Sequence, residues 1–190
     1  LPTEKQLAER YSVSVGTIRR AVDDLVAEHV LVRQQGRGTF LATFSPDRML
    51  HRFWPVVRRD GVREIPIVQT LNFGTVRAGR DLAANLAIKP ADSVFRIVNV
   101  MLMGGNPVLL DEIYIAKALF AGLTEADFVA RDGTIYALYQ GRYGIHVIRI
   151  VDRLHGIAAD LQTAKVLGVP LATPLIEVTR IAYTFHDRPV

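Results

Sequence analysis

The chain has 190 residues, 49% of them hydrophobic and 22% charged, with a mean hydropathy of +0.19; this is the composition of a folded globular chain and excludes disorder and fibrous repeats. No apolar run approaches the ~18 residues of a spanning helix, so a membrane is not an expected partner, and the absence of cysteine excludes disulfides, thiol catalysis and zinc–thiolate sites. A net charge of +4 and a pI near 9.6 permit a polyanionic partner without requiring one.

No signal peptide is visible, and the expected location is the cytoplasm. At ~150 residues per domain the length allows one large domain or two small ones. The first forty residues read as helical and the rest as largely strand-forming. The boundary reading is therefore residues 1–43, a linker at 44–50, and residues 51–190.

In chain order, Thr3 is positioned to cap a helix over about Glu4 to Tyr11, with Gln6 three residues on to complete a capping box. Ser14 is a second cap, and Val15, Ile18, Val22 and Leu25 keep an apolar stripe at helical spacing to about Glu28. Val30 to Arg33, a turn at Gln35-Gly36-Arg37-Gly38, and Thr39 to Leu41 form a short hairpin. Beyond the linker the pattern predicts a helix over His51 to Asp60, a strand over Ile67 to Phe73, a loop over Gly74 to Gly79, and a small helix over Asp81 to Leu86. Strands over Phe95 to Met103 and Val108 to Ile115 join through Gly104-Gly105-Asn106-Pro107. Then come a helix over Thr134 to Tyr143 stopped by Gly144, a strand over Val147 to Leu154, a helix over Ala158 to Leu167 stopped by Gly168, and a strand over Leu175 to Phe185. Strands outnumber helices, and an α+β domain with an antiparallel sheet fits better than a doubly wound parallel one.

Helix, tight turn, helix and hairpin is the layout of a winged helix-turn-helix, whose second helix enters the major groove of DNA. With Ile18, Val22 and Leu25 turned inward, Ser14, Gly16, Thr17, Arg19 and Arg20 are left to meet phosphates or base edges, and glycines 36 and 38 flank Arg37 with little bulk. Against this, the segment to Arg48 is barely basic, with seven Lys or Arg against six Asp or Glu, and capped helix pairs occur in proteins that never touch nucleic acid.

Three stretches decide between them. Leu1-Pro2-Thr3-Glu4-Lys5-Gln6-Leu7-Ala8, Val13 to Ala21, and Gly36-Arg37-Gly38-Thr39-Phe40 resemble the winged-helix signature of the GntR family of bacterial transcription factors. The resemblance puts Lys5, Ser14, Thr17, Arg19, Gln35, Gly36, Arg37 and Gly38 where that family contacts DNA. Val15 departs from the Arg that many members carry. Family domains usually begin with another helix, so the resemblance implies a first helix preceding Leu1 that is missing here.

From His51 onward the chain resembles the UTRA effector-binding domain of the HutC subfamily, which shares the fold of chorismate lyase. Gly105-Asn106-Pro107-Val108 with Asp111 and Tyr114, Thr134-Ile135-Tyr136, Leu167-Gly168-Val169-Pro170 and Pro174-Leu175-Ile176-Glu177 carry that likeness. The subfamily pattern runs a little past Val190, implying an incomplete last strand. The resemblance places Phe53, Trp54, Asn99, Met101, Asp111, Thr134, Tyr136, Glu177 and Tyr183 around a small-molecule effector.

Alternation gives an independent check, since Glu177, Thr179, Ile181 and Tyr183 share one strand face, and Phe95, Ile97, Asn99, Met101 and Met103 share another. A carboxylate or amide buried there needs a partner, either a ligand or, for Glu177, an arginine such as Arg180 or Arg149. Where phosphosugar-sensing members carry Arg-x-Arg, this chain has Asn99 and Met101. The inferred site is then acidic and partly apolar, favouring a neutral or cationic ligand over a phosphosugar.

These readings describe a ligand-responsive repressor acting as a homodimer on a DNA operator, needing no cofactor or metal. The rival is an enzyme of the chorismate lyase type. For that rival no acid, base and oxyanion group can be nominated together, and the N-terminal motifs are left unused. Motifs such as GxSxG, the P-loop and HExxH are absent, and the five histidines lack metal-ligand spacing.

Overall fold

Contacts divide the chain into two units, Leu1–Arg48 and Met49–Val190, and the computed structural model describes residues 1–27, 30–41, 61 and 64–190. The expected linker at 44–50 and the helix over His51 to Asp60, with Phe53 and Trp54, lie outside the described residues.

The first unit opens with α1 (Glu4–Tyr11), closed at its start by the expected capping box. Gln6 N donates to Thr3 Oγ1 at 3.3 Å while Thr3 N donates to Gln6 Oε1 at 2.9 Å. Ser12 takes the left-handed conformation that ends the helix. Two residues later Ser14 Oγ accepts from Thr17 N at 3.0 Å and starts α2 (Val15–Ala27). Ala8, Val22, Val30 and Leu31 are buried together as the unit's small core, with Ile18 half-buried and Leu25 exposed. Strands β1 (Leu31–Gln34) and β2 (Gly38–Leu41) pair antiparallel, Gln34 opposite Gly38. Between them Arg37 N bonds Gln34 O at 3.0 Å, and Gly36 takes φ 73°, a turn geometry that a Cβ disfavours.

The second unit holds two three-stranded antiparallel sheets, as the α+β reading expects. In the first, β3 (Ile67–Arg77), β4 (Ser93–Met103) and β5 (Asn106–Ala116) lie side by side with β4 central. Central placement explains the near-continuous apolar run of β4, where Val94, Phe95, Ile97, Val100 and Met103 are all buried. Gly104 and Gly105 make the two-residue turn to β5 with φ 54° and 79°, the paired positive values of a type I′ hairpin. In the second sheet β6 (Arg149–Ala158) and β7 (Pro174–Thr184) run antiparallel, and the two-residue β8 (Arg188–Pro189) adds to β7.

Among the described residues four helices accompany the sheets: α3 (Arg80–Asn85), α4 (Glu125–Val129), α5 (Ile135–Tyr143) and α6 (Leu161–Leu167). Helix α6 lies against β5. Gly144 and Gly168 end α5 and α6 as expected, both with positive φ. Two expectations are corrected. The stretch Gly74 to Arg77 continues β3 rather than forming a loop, because Thr75 and Val76 pair with Phe95 and Val94. Helix α4 was not anticipated, although Thr124 and Asp127 form a capping box at its start.

Aromatic rings form one part of the core of this unit, beside an aliphatic cluster of Ala78, Ala83, Leu86 and Val94. Phe73 contacts Phe95 and Phe128 with ring centroids 5.3 and 5.9 Å apart, and Phe120 contacts Tyr139 and Tyr143 at 4.5 and 5.1 Å. Phe128 is 0% exposed whereas Leu161 is 76% exposed. Phe128→Ala should therefore cost ~3–5 kcal/mol of stability in urea denaturation, while Leu161→Ala should change it by less than ~0.5 kcal/mol.

Candidate functional site

Two groups of polar residues need a reason to be where they are, one in each unit. In the first unit, Ser14, Gly16, Thr17, Arg19 and Arg20 lie exposed along the start of α2, with Lys5 exposed on α1 and Gln35, Gly36, Arg37 and Gly38 exposed at the hairpin turn. Ser14 and Thr17 hydroxyls bond each other at 2.8 Å, so these two side chains are oriented as well as capped. Arg19 Nε donates to Glu4 Oε2 at 2.9 Å. The other Glu4 oxygen accepts from Arg33 at 3.4 Å, and Arg33 also pairs with Asp23 at 2.5 Å. One carboxylate thus links α1, α2 and β1. Arg19 keeps 62% of its side chain exposed, and an exposed pair of this kind contributes at most ~1 kcal/mol, although it holds the guanidinium in one orientation. Gly16 is not demanded by packing, because an added Cβ would meet only Ser14 Oγ, at 3.7 Å.

The second group is built on strand register. Asn99 of β4 sits opposite Thr70 of β3 and Asp111 of β5, and at 1% exposure its amide has to be satisfied inside the protein. Thr70 Oγ1 donates to Asn99 Oδ1 at 2.9 Å, which turns Asn99 Nδ2 toward Asp111 Oδ2 at 3.4 Å. Met101, half-buried, follows on the same face. Burial pushes the Asp111 carboxyl above its ordinary value; the Asn99 bond and the charges of Arg180 and Arg131 oppose that rise. Arg180 of β7 holds Asp152 by two bonds, Nε to Oδ1 at 2.8 Å and NH2 to Oδ2 at 2.7 Å, and also bonds Tyr136. Burial raises the Tyr136 hydroxyl, and its ring meets Tyr139 edge-on at 5.9 Å. Thr134 caps α5, accepting from Ala137 N at 3.3 Å.

Of the sequence-predicted effector residues, the fold thus gathers Asn99, Asp111 and Tyr136. The contacts do not bring Glu177 and Tyr183 into this group. In the β6–β7 pairing Asp152 lies opposite Arg180, and Glu177, Thr179, Ile181 and Tyr183 occupy the alternate positions, on the other face of the sheet from Arg180. Glu177 is exposed, opposite His155, and is not a buried carboxylate. Nor do the suggested arginines serve it: Arg180 takes Asp152 and Arg149 takes Asp187. The Tyr183 ring lies under Arg149 at 4.0 Å. The charge around Asp111 is mixed, because Arg131 and Arg180 both act on it. Arg131 sits between α4 and α5, where no periodicity marks it. Among the described residues no group of acidic and histidine side chains could hold a metal, and no helix is long and apolar enough to cross a membrane.

Comparison with known proteins gives each unit a family. Residues 1–41 match the family described as bacterial regulatory proteins, gntR family, and residues 63–190 match the UTRA domain. The chain is 30% identical over 196 residues to the Escherichia coli protein named "Probable fructoselysine utilization operon transcriptional repressor", covering 100% of this chain and 77% of that one. It is also 30% identical over 192 residues to the mannosyl-D-glycerate transport/metabolism system repressor of the same organism, covering 99% and 78%. Among solved structures, the ligand-binding domain of a GntR-family transcriptional regulator from Bordetella bronchiseptica superposes with a TM-score of 0.65 at 28% identity, over 68% of this chain and 81% of that one. The chain belongs to the gntR family of bacterial regulatory proteins in its UTRA-bearing form, and is a ligand-responsive, DNA-binding transcription regulator.

Proposed function

We propose that the chain is a HutC-type repressor that binds its operator as a homodimer in the cytoplasm and releases it when an effector occupies the second unit. Residues 1–43 dock on DNA, 44–50 link, and 51–190 take the effector and dimerise. One winged helix reads a half-site, and a second copy doubles the contacts on a palindromic operator. Release is linkage: the effector favours a dimer geometry whose recognition helices no longer match the half-site spacing. The chain carries no catalysis of its own. A chorismate-lyase-type activity has nothing to support it, since both matching families and the named relatives are regulators.

Gly16 carries the DNA reading. A glycine in the first turn of an exposed helix, with room for a Cβ, lowers helix stability. That cost has a purpose if the backbone there must come close to DNA. Arg19 and Arg20 then face base edges or phosphates, with Lys5, Ser14, Thr17, Gln35, Gly36, Arg37 and Gly38 completing the surface. In the second unit the effector set is Asn99, Met101, Asp111, Thr134 and Tyr136, joined by Arg131 and Arg180, with Phe53, Trp54, Glu177 and Tyr183 carried by the family resemblance. Two relatives are named for fructoselysine and mannosyl-D-glycerate, small polar metabolites, and the effector here belongs to that broad class. Without an Arg pair at Asn99 and Met101, a phosphosugar is disfavoured.

Three outcomes test these assignments. Gly16→Ala should raise thermal stability by ~0.5–1 kcal/mol and weaken operator binding in fluorescence anisotropy; unchanged binding removes Gly16 from the interface. Arg19→Ala should cost ~1–3 kcal/mol and relax sequence preference, whereas Arg37→Ala should weaken all sequences alike and lower the salt slope by about one. The third concerns pH. Burial raises Asp111 above 3.8, so its ionised form is disfavoured by folding, and stability falls as pH rises from 3.8 through the folded value. Asp111→Asn should therefore melt higher than the parent at pH 7, and the gap should close as the pH is lowered toward 3.8.

A further inference from the structure

The effector site contains two opposite charges that do not neutralise each other. Arg180 is matched within the protein by the two-bond pair with Asp152. Asp111 is not so matched. Its described hydrogen bond is the long one from Asn99, at 3.4 Å, and an ionised carboxylate accepts about four bonds. The Asn99 amide cannot turn to serve it better, since Thr70 holds the other end. Arg131 is the opposite case. Its guanidinium stacks on the Phe128 ring at 4.0 Å, NH1 donates to Phe128 O at 2.5 Å, and Nε is buried with no hydrogen-bond partner among the described residues. The two groups feel each other's charge yet form no ion pair among the described residues. The strand ladder positions one and the Phe128 contacts position the other.

We propose that the effector is a zwitterion, an amino acid or amino-acid conjugate, whose ammonium group sits against Asp111 and whose carboxylate sits against Arg131. This rests on the reading of Asp111 and Tyr136 as the effector site. A ligand with one charge of each sign completes both partners at once. A phosphate dianion needs a second unmatched cation and gains nothing from Asp111. A polyamine gains nothing from Arg131. Burial that raises Asp111 and lowers Arg131 disfavours each charge in the empty site, and pairing each with a ligand group reverses that.

The test is a thermal-shift and calorimetric screen of the full chain against the twenty amino acids and their glycyl dipeptides, with glucose 6-phosphate and putrescine alongside. Each amino-acid or dipeptide hit is re-measured as its methyl ester and N-acetyl derivative. At least one free zwitterion should bind, with the ester and the N-acetyl form each about tenfold or more weaker. Arg131→Gln should abolish the preference for acid over ester while keeping the preference for free amine; Asp111→Asn should do the reverse; Arg131→Lys should retain part of the acid preference. Unliganded melting temperatures show that each variant is folded. No shift with any zwitterion, or an ester that binds as well as its acid, overturns the proposal. If only glucose 6-phosphate or putrescine binds, and Asp111→Asn or Tyr136→Phe weakens it, the site stands and the ligand class falls. If a zwitterion binds but neither Asp111→Asn nor Arg131→Gln alters its affinity, the site assignment falls with the proposal.

Discussion

Burying an amide in the middle of a sheet costs ~1–3 kcal/mol or more unless both of its ends are bonded, and Asn99 is placed under that constraint. It sits on the central strand β4, closed off from solvent on a face it shares with the apolar Phe95, Ile97, Met101 and Met103. Only one register of the three strands gives it Thr70 on one side and Asp111 on the other. The same requirement that fixes the ladder therefore delivers an acidic group into the interior, and everything around it follows from accommodating that charge. Arg131, from the connection before α5, and Arg180, from β7, bring their charges to it.

The first unit solves the opposite problem, keeping cations outside and aimed. Glu4 pairs with both Arg19 and Arg33, and neither arginine is buried by doing so. Such pairs add little stability in water, but they restrict long side chains that otherwise sample many rotamers before meeting a partner. Capping works in the same direction, since the Ser14 hydroxyl that starts α2 also holds the Thr17 hydroxyl. In this unit local sequence rules and the exposed surface are written by the same few residues.

That is why the first unit was legible residue by residue. The capping box at Thr3, the cap at Ser14 and the glycine turn are local devices with local signals, and α1 spans Glu4–Tyr11 as the spacing predicts. The hairpin through Gly104 and Gly105 was readable for the same reason. The second site was half legible. Asn99 and Asp111 stand out as polar residues in strand patterns, but alternation tells only which residues share a face, and it is the pairing of β6 with β7 that leaves Glu177 exposed opposite His155 while Arg180 meets Asp152. Arg131 is invisible to periodicity because it belongs to a connection. The length of β3 was misjudged because Gly74 reads as a strand breaker, whereas neighbouring pairs with β4 outweigh its low propensity.

Strand β3 was hard to read for a second reason. Its register against β4 shifts between Thr70 and Asn72, leaving Leu71 as an extra, exposed residue. Before that residue the even positions, Val68 and Thr70, lie opposite Met101 and Asn99; after it the odd positions, Phe73 and Thr75, lie opposite Ile97 and Phe95. One strand thus carries two phases, and both deliver side chains to the same face: a hydroxyl for the buried amide from one half, an aromatic ring for the core from the other. Removing the extra residue would force a choice between them. With it in place each half keeps its own phase, so the hydroxyl that serves Asn99 on one side of Leu71 and the packing around Phe73 on the other do not constrain each other.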